Sequence, residues 1–520
     1  MVPWSLHRTF ALRNLSKAPQ AVQGADCSLA LRAGSAESVS HIMHPFVPFR
    51  CALLMALVGL TSCISVGPDY RPPELEVPSA WNRCESFGAE EGCSFGEVDI
   101  TEWWRELSDP LLAELIAEAL QTNHDLRIAR WRLVESRARR RVAAASLLPD
   151  ASGSASARRN WSRGDSGGWS STDRFSAGFD AGWELDLFGG RRRTVEAADA
   201  ALESTAAGVH SVQVSLVAEV ALNYVEMRLL QQRLSIARDN LATQSETLQL
   251  TEWRARAGLV SEQDVEQARS QQAQTRAQLP RLETSLIETE HRLELLLGQA
   301  PGTLAPRFEA GGALPAVPRH IVVGIPAEVL RQRPDLRAAE RNLAAETARV
   351  GAAEAARYPS LRLSGSIGLD ALTLGGLGSS RALSSSVLGG LSAPIFNAGR
   401  LKAQVEQQEA VREQALAAYE LTLLGALEEV ENALVAFAHS QQRSEALNEA
   451  AEAIRRAAVL ARQRYSAGLV DFQSVLDTER GLLTVEDSLA GSRADTVQSL
   501  IRLYKALGGG WPSQADKEPS

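Results

Sequence analysis

Phe175-Ser176-Ala177-Gly178-Phe179-Asp180-Ala181-Gly182-Trp183-Glu184-Leu185-Asp186-Leu187 alternates without a break. Successive side chains of a strand point to opposite sides, so Phe175, Ala177, Phe179, Ala181, Trp183, Leu185 and Leu187 share one face. Ser176, Gly178, Asp180, Gly182, Glu184 and Asp186 share the other. A tilted strand of about 9–11 residues crosses a bilayer core, and a strand over 173–187 is long enough. An apolar face toward lipid with a polar face toward water is the pattern of a barrel wall. The preceding segment, 151–163, alternates more weakly, with small residues on one side. Farther on, Leu361, Leu363, Ile367 and Leu369 alternate with Ser360, Arg362, Ser364, Ser366 and Asp370, and Leu391, Ala393 and Ile395 resume the pattern. Strands are therefore expected over 360–371 and 385–396. Turns rich in Gly and Ser at 163–172 and 372–385 make each pair a hairpin. Two hairpins on a soluble core would alternate in the same way, so the choice rests on their surroundings.

Those surroundings repeat at an offset of 210 residues. Asp125-Leu126-Arg127 recurs as Asp335-Leu336-Arg337, with Pro149 and Pro359 following at the same distance. Ala257-Gly258-Leu259-Val260 recurs as Ala467-Gly468-Leu469-Val470, and Leu297-Gly298 as Leu507-Gly508. Several anchors at one offset identify a duplication, with a first repeat over 111–298, a linker over 299–326 and a second repeat over 327–508.

Each repeat frames its strands with helices. Residues 111–148 contain neither Gly nor Pro and carry Leu112, Leu115, Ile116 and Ala119 at helical spacing; 327–358 is the counterpart. Segments 191–257 and 400–467 hold a single Gly each and no Pro, so each suits one helix of about 67 residues, roughly 100 Å at 1.5 Å per residue. A further helix per repeat covers 261–297 and 469–507. The expected fold is a mixed α and β membrane protein with four transmembrane strands and six long helices per chain.

After residue 63 no stretch offers 18 consecutive apolar residues, so membrane contact is expected through lipid or strands. Met43-His44-Pro45-Phe46-Val47-Pro48-Phe49-Arg50 leads into an apolar run from Cys51 to Leu60, then Thr61-Ser62-Cys63. A short charged start, an apolar run and small residues before a cysteine read as a lipoprotein signal peptide over 43–62, with Cys63 as the lipid-bearing residue. Residues 1–42 show no apolar period and read as an extension upstream of a working start at Met43. Several acyl chains anchor a protein where one does not, and Ile64 rather than Asp after the cysteine suits onward sorting to the outer membrane. Cys84 and Cys93 remain as a close pair, a candidate disulfide in an oxidising compartment, with no histidine beside them to suggest a metal site.

Four strands cannot close a barrel, and an open edge in lipid leaves backbone groups unpaired at several kcal/mol each. The chain must associate with copies of itself; a dimer would give eight strands and a trimer twelve, and only the larger ring leaves a useful aqueous lumen. The long helices would then form a tube hanging from the barrel, with the shorter ones stacked end to end to match.

Cys63 with Val66-Gly67-Pro68-Asp69-Tyr70, Trp103-Trp104, Asp109-Pro110, Trp183 through Gly189, Arg333-Pro334-Asp335-Leu336, Pro394-Ile395-Phe396 with Gly399-Arg400, and Leu503 through Trp511 together resemble the TolC-type outer membrane factors, in particular the NodT-type efflux lipoproteins. The resemblance covers nearly all of the chain from Cys63 to Trp511. It implies a homotrimer with a 12-stranded β-barrel in the outer membrane and a long α-helical barrel in the periplasm. It also implies an equatorial belt built from 64–108, within a lipid-anchored N-terminal segment 63–110, together with 299–326 and the tail 509–520. The partners it implies are a periplasmic adaptor and, through it, an inner-membrane resistance-nodulation-division pump. In the family the turns matching Gly258-Leu259-Val260 and Gly468-Leu469-Val470 form the periplasmic tip that meets the adaptor. Asp477 matches a constricting aspartate, so three copies would ring the closed pore and favour cations. Where some members carry a second acid this chain has Ser474, and Asp264 of the first repeat is a candidate supplement. Tyr465 matches a tyrosine that helps latch the tip in some relatives, but the basic partner expected five residues later is Val470.

Other functions find little support. The net charge of −9 is interspersed, with no basic block to follow a phosphate backbone, so nucleic acid is not an expected partner. No nucleophile elbow, phosphate loop or His/Cys/carboxylate cluster appears, and neither enzymatic activity nor a cofactor is expected. The competing reading is a lipid-anchored, periplasm-facing coiled-coil scaffold without a conducting pore, which accounts for the helices and the lipid but not for the strands. Met227 is the one methionine after Cys63, which argues against a thioether-lined copper path.

Overall fold

The computed structural model describes residues 65–511 except 75–77, 79, 82–99, 164, 166, 309–310 and 318–325. The signal segment, Cys63, Cys84, Cys93 and residues 512–520 lie outside the described residues. Four strands, β1 (Asp150–Arg163), β2 (Trp169–Leu185), β3 (Ser360–Ala371) and β4 (Leu383–Ser392), form one antiparallel sheet in the order β1-β2-β3-β4. The alternation read from sequence survives in the register. Phe179 faces Ile367, Trp183 faces Leu363, Leu361 faces Leu391 and Ala155 faces Ala177, all on one side. On the other, hydroxyls meet across the ladder, Ser156 with Ser176 at 2.9 Å and Ser366 with Ser386 at 2.8 Å. The apolar side is bare, with Phe179 70% and Val387 89% exposed. Pro394 has no N–H to offer a ladder, and β4 stops at Ser392, short of the expected 396.

The helices are α1 (Pro110–Thr122), α2 (His124–Ala145), α3 (Gly190–Arg256), α4 (Glu262–Leu296), α5 (Pro326–Gln332), α6 (Pro334–Ala355), α7 (Arg400–Ser466) and α8 (Phe472–Ala506). The 67 residues of α3 and of α7 each span roughly 100 Å. One stretch of α3 is apolar enough to cross a membrane by length and composition alone; the same helix gives Leu216, Val217, Val220, Tyr224 and Val225 to the main core.

The first helix of each repeat, read from sequence as continuous, is broken in two. Asn123 leaves the helical region at φ −58°, ψ 134°, and its Oδ1 accepts the Leu126 N–H as a cap. At the equivalent place Arg333 precedes Pro334, whose ring disfavours helical geometry in the residue before it. Both breaks serve as joints. Asn123 Nδ2 and Thr122 Oγ1 donate to the carbonyls of Leu296 and Leu297, the open end of α4, at 2.9 and 2.6 Å. Arg333 Nη1 donates to the Ala506 carbonyl at the end of α8, at 2.6 Å. The shorter helices therefore meet end to end, α2 over α4 and α6 over α8, alongside the two long ones. Buried Arg333 also binds Asp335 at 2.7 Å and Glu429 at 2.8 Å. Burial pulls its guanidinium pKa down, but these two acids more than offset that and raise it.

Around the joints lies the main core. Trp103 stacks on Tyr504 with centroids 5.2 Å apart, and Tyr504 donates to Glu106 at 2.5 Å. Glu294, 1% exposed, accepts from the N–H groups of Gly302 and Leu304 and so ties down the chain after α4.

Candidate functional site

At the far end of the long helices, each chain reverses through a short turn. Ala257 ends α3, Gly258 takes φ 74°, and the Leu259 N–H returns to the Arg254 carbonyl at 2.9 Å, a Schellman closure. Gly468, at φ 73°, and the Leu469 N–H, bonded to the Arg464 carbonyl, repeat it after α7. An L side chain is strained at such φ, which is why Gly stands at both positions. The closures push Leu259 and Leu469 outward, 67% and 75% exposed, with Val260 and Val470 half-buried behind them.

The next helices start with side-chain caps whose residue types are exchanged between repeats. Ser261 caps α4 and Asp264 returns a bond to the Ser261 N–H, a capping box. Asp471 caps α8 and accepts both the Ser474 N–H at 3.1 Å and its hydroxyl at 2.7 Å. Two of the three gate candidates, Asp264 and Ser474, are thus occupied in holding helix starts. Asp477 is exposed on α8 and takes a single bond, from Gln473 Nε2 at 2.9 Å. Tyr465 is 2% exposed inside a small apolar cluster with Ala268, Phe472, Val475 and Leu476, and its hydroxyl lies 3.4 Å from Thr251 Oγ1.

Sequence reasoning missed the contacts that join the first helix pair, α3 with α4, to the second, α7 with α8. Arg254 donates to the Tyr465 carbonyl, and its guanidinium lies 4.4 Å from the centroid of that tyrosine's ring. Thr247 Oγ1 donates to Glu479 at 3.0 Å in a buried setting, and Arg480 Nε reaches Gln271 Oε1 at 2.7 Å. Burial pushes the Glu479 carboxyl pKa up, against the smaller opposite effects of Thr247 and nearby Arg462. A signal existed in the sequence: Asn240, Gln244, Thr247 and Thr251 fall on one helical face and are all buried. Among the described residues no group of three or more His, Cys, Asp or Glu could hold a metal ion.

Comparison with known proteins fits this geometry. The family model described as "Outer membrane efflux protein" matches residues 115–299 and 325–509, two blocks set at the repeat offset. Nodulation protein T of Rhizobium leguminosarum bv. viciae is 34% identical over 472 residues, 91% of this chain and 95% of its own length. The pyoverdine export outer membrane protein OpmQ of Pseudomonas putida is 36% identical, covering 90% and 99%. Among solved structures, the outer-membrane channel OprN superposes with a TM-score of 0.80 at 38% identity, over 86% of this chain and 99% of that one. The Campylobacter jejuni CmeC outer membrane channel, at 22% identity, shares the fold with a TM-score of 0.82 over 87% and 96%.

Proposed function

The chain belongs to the outer membrane efflux protein family, and from that membership and the geometry above we propose that it is the outer-membrane channel of a tripartite efflux system, a passive duct rather than an enzyme. The observation that carries this reading is the sheet. It has an apolar, exposed face, two unpaired edges at β1 and β4, and helices of roughly 100 Å leading away from it. Three copies would close a 12-stranded barrel in the outer membrane and continue it as a helical tube through the periplasm. Acyl chains on Cys63 would anchor each copy beside the barrel. Exposed Leu259 and Leu469, held on rigid turns, present apolar knobs for a periplasmic adaptor that links the duct to an inner-membrane resistance-nodulation-division pump. Asp477, the gate candidate with no capping duty, would ring the narrow end in three copies and set its charge preference. Asp264 and Ser474 would hold the helix starts on which that ring stands.

Planar-bilayer recording tests this directly, comparing wild type with Asp477→Ala at matched salt. A low, cation-selective conductance that rises or loses selectivity in the variant is expected. Well-folded protein that never conducts would reject the duct in favour of a scaffold, and conductance unaffected by the substitution would move the gate elsewhere.

A further inference from the structure

The first hairpin outgrows the rest of the sheet. β2 pairs with β1 from Trp169 onward, but its pairing with β3 begins only at Phe175, opposite Ala371. Residues 158–163 of β1 and 169–174 of β2 therefore extend past the ladder with β3 as a two-stranded flap, about 20 Å along the strands. The flap is at the end of the sheet away from the helices, because α2 leads into β1 at Asp150 and β2 runs back toward α3 at Gly190.

Strand register sorts its side chains by face. Arg159 opposite Asp173, Trp161 opposite Ser171 and Arg163 opposite Trp169 continue the side that carries Phe175 and Phe179. Arg158 opposite Arg174 and Ser162 opposite Ser170 continue the hydroxyl-lined side, with the two serine hydroxyls 3.0 Å apart. In the duct proposed above the first side meets lipid, and Ala157 opposite Phe175 is its last apolar rung. A cation on that side is costly at the bilayer midplane and tolerated near the interface, while tryptophan favours the headgroup level. Both residue types thus place this face at the headgroups of the outer leaflet. Trp161 and Trp169 are bare, 65% and 72% exposed.

The arginines keep donors to spare. Arg159 holds Asp173 through Nε and Nη2, both at 2.5 Å, and its Nη1 has no partner among the described residues. Arg163 gives its Nε to the Gly167 carbonyl at 3.3 Å and has no carboxylate partner among the described residues. The matching end of the second hairpin is chiefly apolar, with Leu372, Leu374 and Leu383 exposed and Arg381 alone basic between 371 and 383. Paired cations on the lipid side are therefore particular to the first hairpin. Arg159 and Arg163 are four residues apart, about 13 Å along the strand, with Trp161 between them on the same face. A headgroup with phosphates at the two ends of a disaccharide presents the same order over a comparable span: anion, sugar, anion. A phospholipid with one phosphate would occupy only one of the arginines.

We propose that this face of the flap binds a diphosphorylated glycolipid of the outer leaflet, the lipid A part of lipopolysaccharide. Arg159 and Arg163 donate to its phosphates, as guanidinium does well, and Trp161 lies against the sugar. This rests on the outer-membrane duct proposed above and goes further by naming the lipid that meets it.

Full-length trimer in detergent, titrated with lipid A and followed by native mass spectrometry, tests the site. Arg159→Gln together with Arg163→Gln should weaken binding roughly 25-fold, about fivefold for each arginine near the lipid surface. Arg158→Gln, one residue away on the opposite face, should leave binding unchanged. Monophosphoryl lipid A should bind wild type about as weakly as a single-arginine variant binds lipid A, and phosphatidylglycerol more weakly still. Where the double variant does not assemble, Arg163→Gln decides, since Arg163 holds no carboxylate. Binding indifferent to the arginine substitutions, or equally reduced by Arg158→Gln, overturns the site, and phosphatidylglycerol bound as tightly as lipid A refutes the glycolipid. Bilayer recording separates the two readings: wild type that conducts but fails these titrations loses the lipid site and keeps the duct, whereas wild type that never conducts loses both.

Discussion

Glu479 and Asp471 stand within one helix start of each other and respond to pH in opposite directions. Asp471 is exposed, and the Ser474 hydroxyl and N–H hold its carboxyl below the usual carboxylate range. A lowered pKa means that its capping contribution is present above the unfolded-state value and is lost as pH falls through the folded one. Glu479 is buried, and its raised pKa has the opposite consequence: ionisation costs stability at neutral pH, and the cost is relieved as pH falls through the folded value. Glu479→Gln keeps an oxygen for the Thr247 hydroxyl and removes the buried charge. Its melting temperature should exceed that of wild type at neutral pH, with the gap closing as the solution is acidified; a gap that is constant with pH would show that the charge is not the cause. Arg254→Ala removes both a bond to the Tyr465 carbonyl and a guanidinium over its ring, about 1–2 kcal/mol of local stability. Faster amide exchange confined to the last turns of α3 and α7 is the expected outcome, and exchange unchanged there would remove Arg254 from the links that join the helix pairs.

Turns and joints set the geometry of the elements. A Cβ added at Gly258 meets nothing within 4 Å, so Gly258→Ala isolates the conformational cost of φ 74°, about 1 kcal/mol. The variant should fold, keep its trimer and lose adaptor binding only as far as Leu259 is displaced, which a pull-down beside Leu259→Ala would measure. Gly468→Ala should act alike, since a φ of 73° and the open surroundings recur there, except for Arg254 at 3.7 Å. Such turns were legible because Ala-Gly-Leu-Val occurs twice at one offset. The strands were legible because β2 must satisfy lipid on one face and water on the other. The joints were not, because periodicity reports which face of a helix is buried and is blind to an interruption that keeps the face. Asn123 looked like one more polar residue of a continuous helix; only its place opposite the end of α4 makes it a cap. Asp264 was visible as an acid near the tip, but the Ser261-x-x-Asp264 spacing that commits it to a capping box was the better reading. The links from Arg254 and Thr247 could not be found from one element alone, since their partners are more than 200 residues away.

Along the whole molecule the character of the buried residues changes. Near the joints the core is large and apolar, with Leu112, Leu126, Val220, Tyr224, Leu293, Leu434, Leu500 and Leu503 all at or below 1% exposure. Toward the tip, α3 buries Asn240, Gln244, Thr247 and Thr251, while Gln271 and Thr275 of α4 and Glu479 of α8 are buried there as well. Gln244 and Thr275 have side-chain atoms there with no hydrogen-bond partner. Apolar burial contributes about 25 cal/mol per Å², whereas a buried amide or hydroxyl contributes little even when paired and costs about 1–3 kcal/mol when not. The same 67-residue helix is therefore firmly held over its middle and weakly held at its end. Local opening should follow that gradient. Hydrogen exchange on the intact protein should show the amides of 245–275 and 460–480 opening at much lower free energy than those of 214–230 and 494–506. Gln244→Leu together with Thr275→Val should narrow the difference by filling the polar layer with apolar contact. If the tip exchanges as slowly as the middle before any substitution, the polar layer is not a weak point, and an opening duct would have to move its helices as rigid bodies from the joints at Asn123 and Arg333. If the substitutions slow exchange and also lower the frequency of open events in bilayers, the loosely held polar layer is what allows the narrow end to open while the barrel and its seams stay closed.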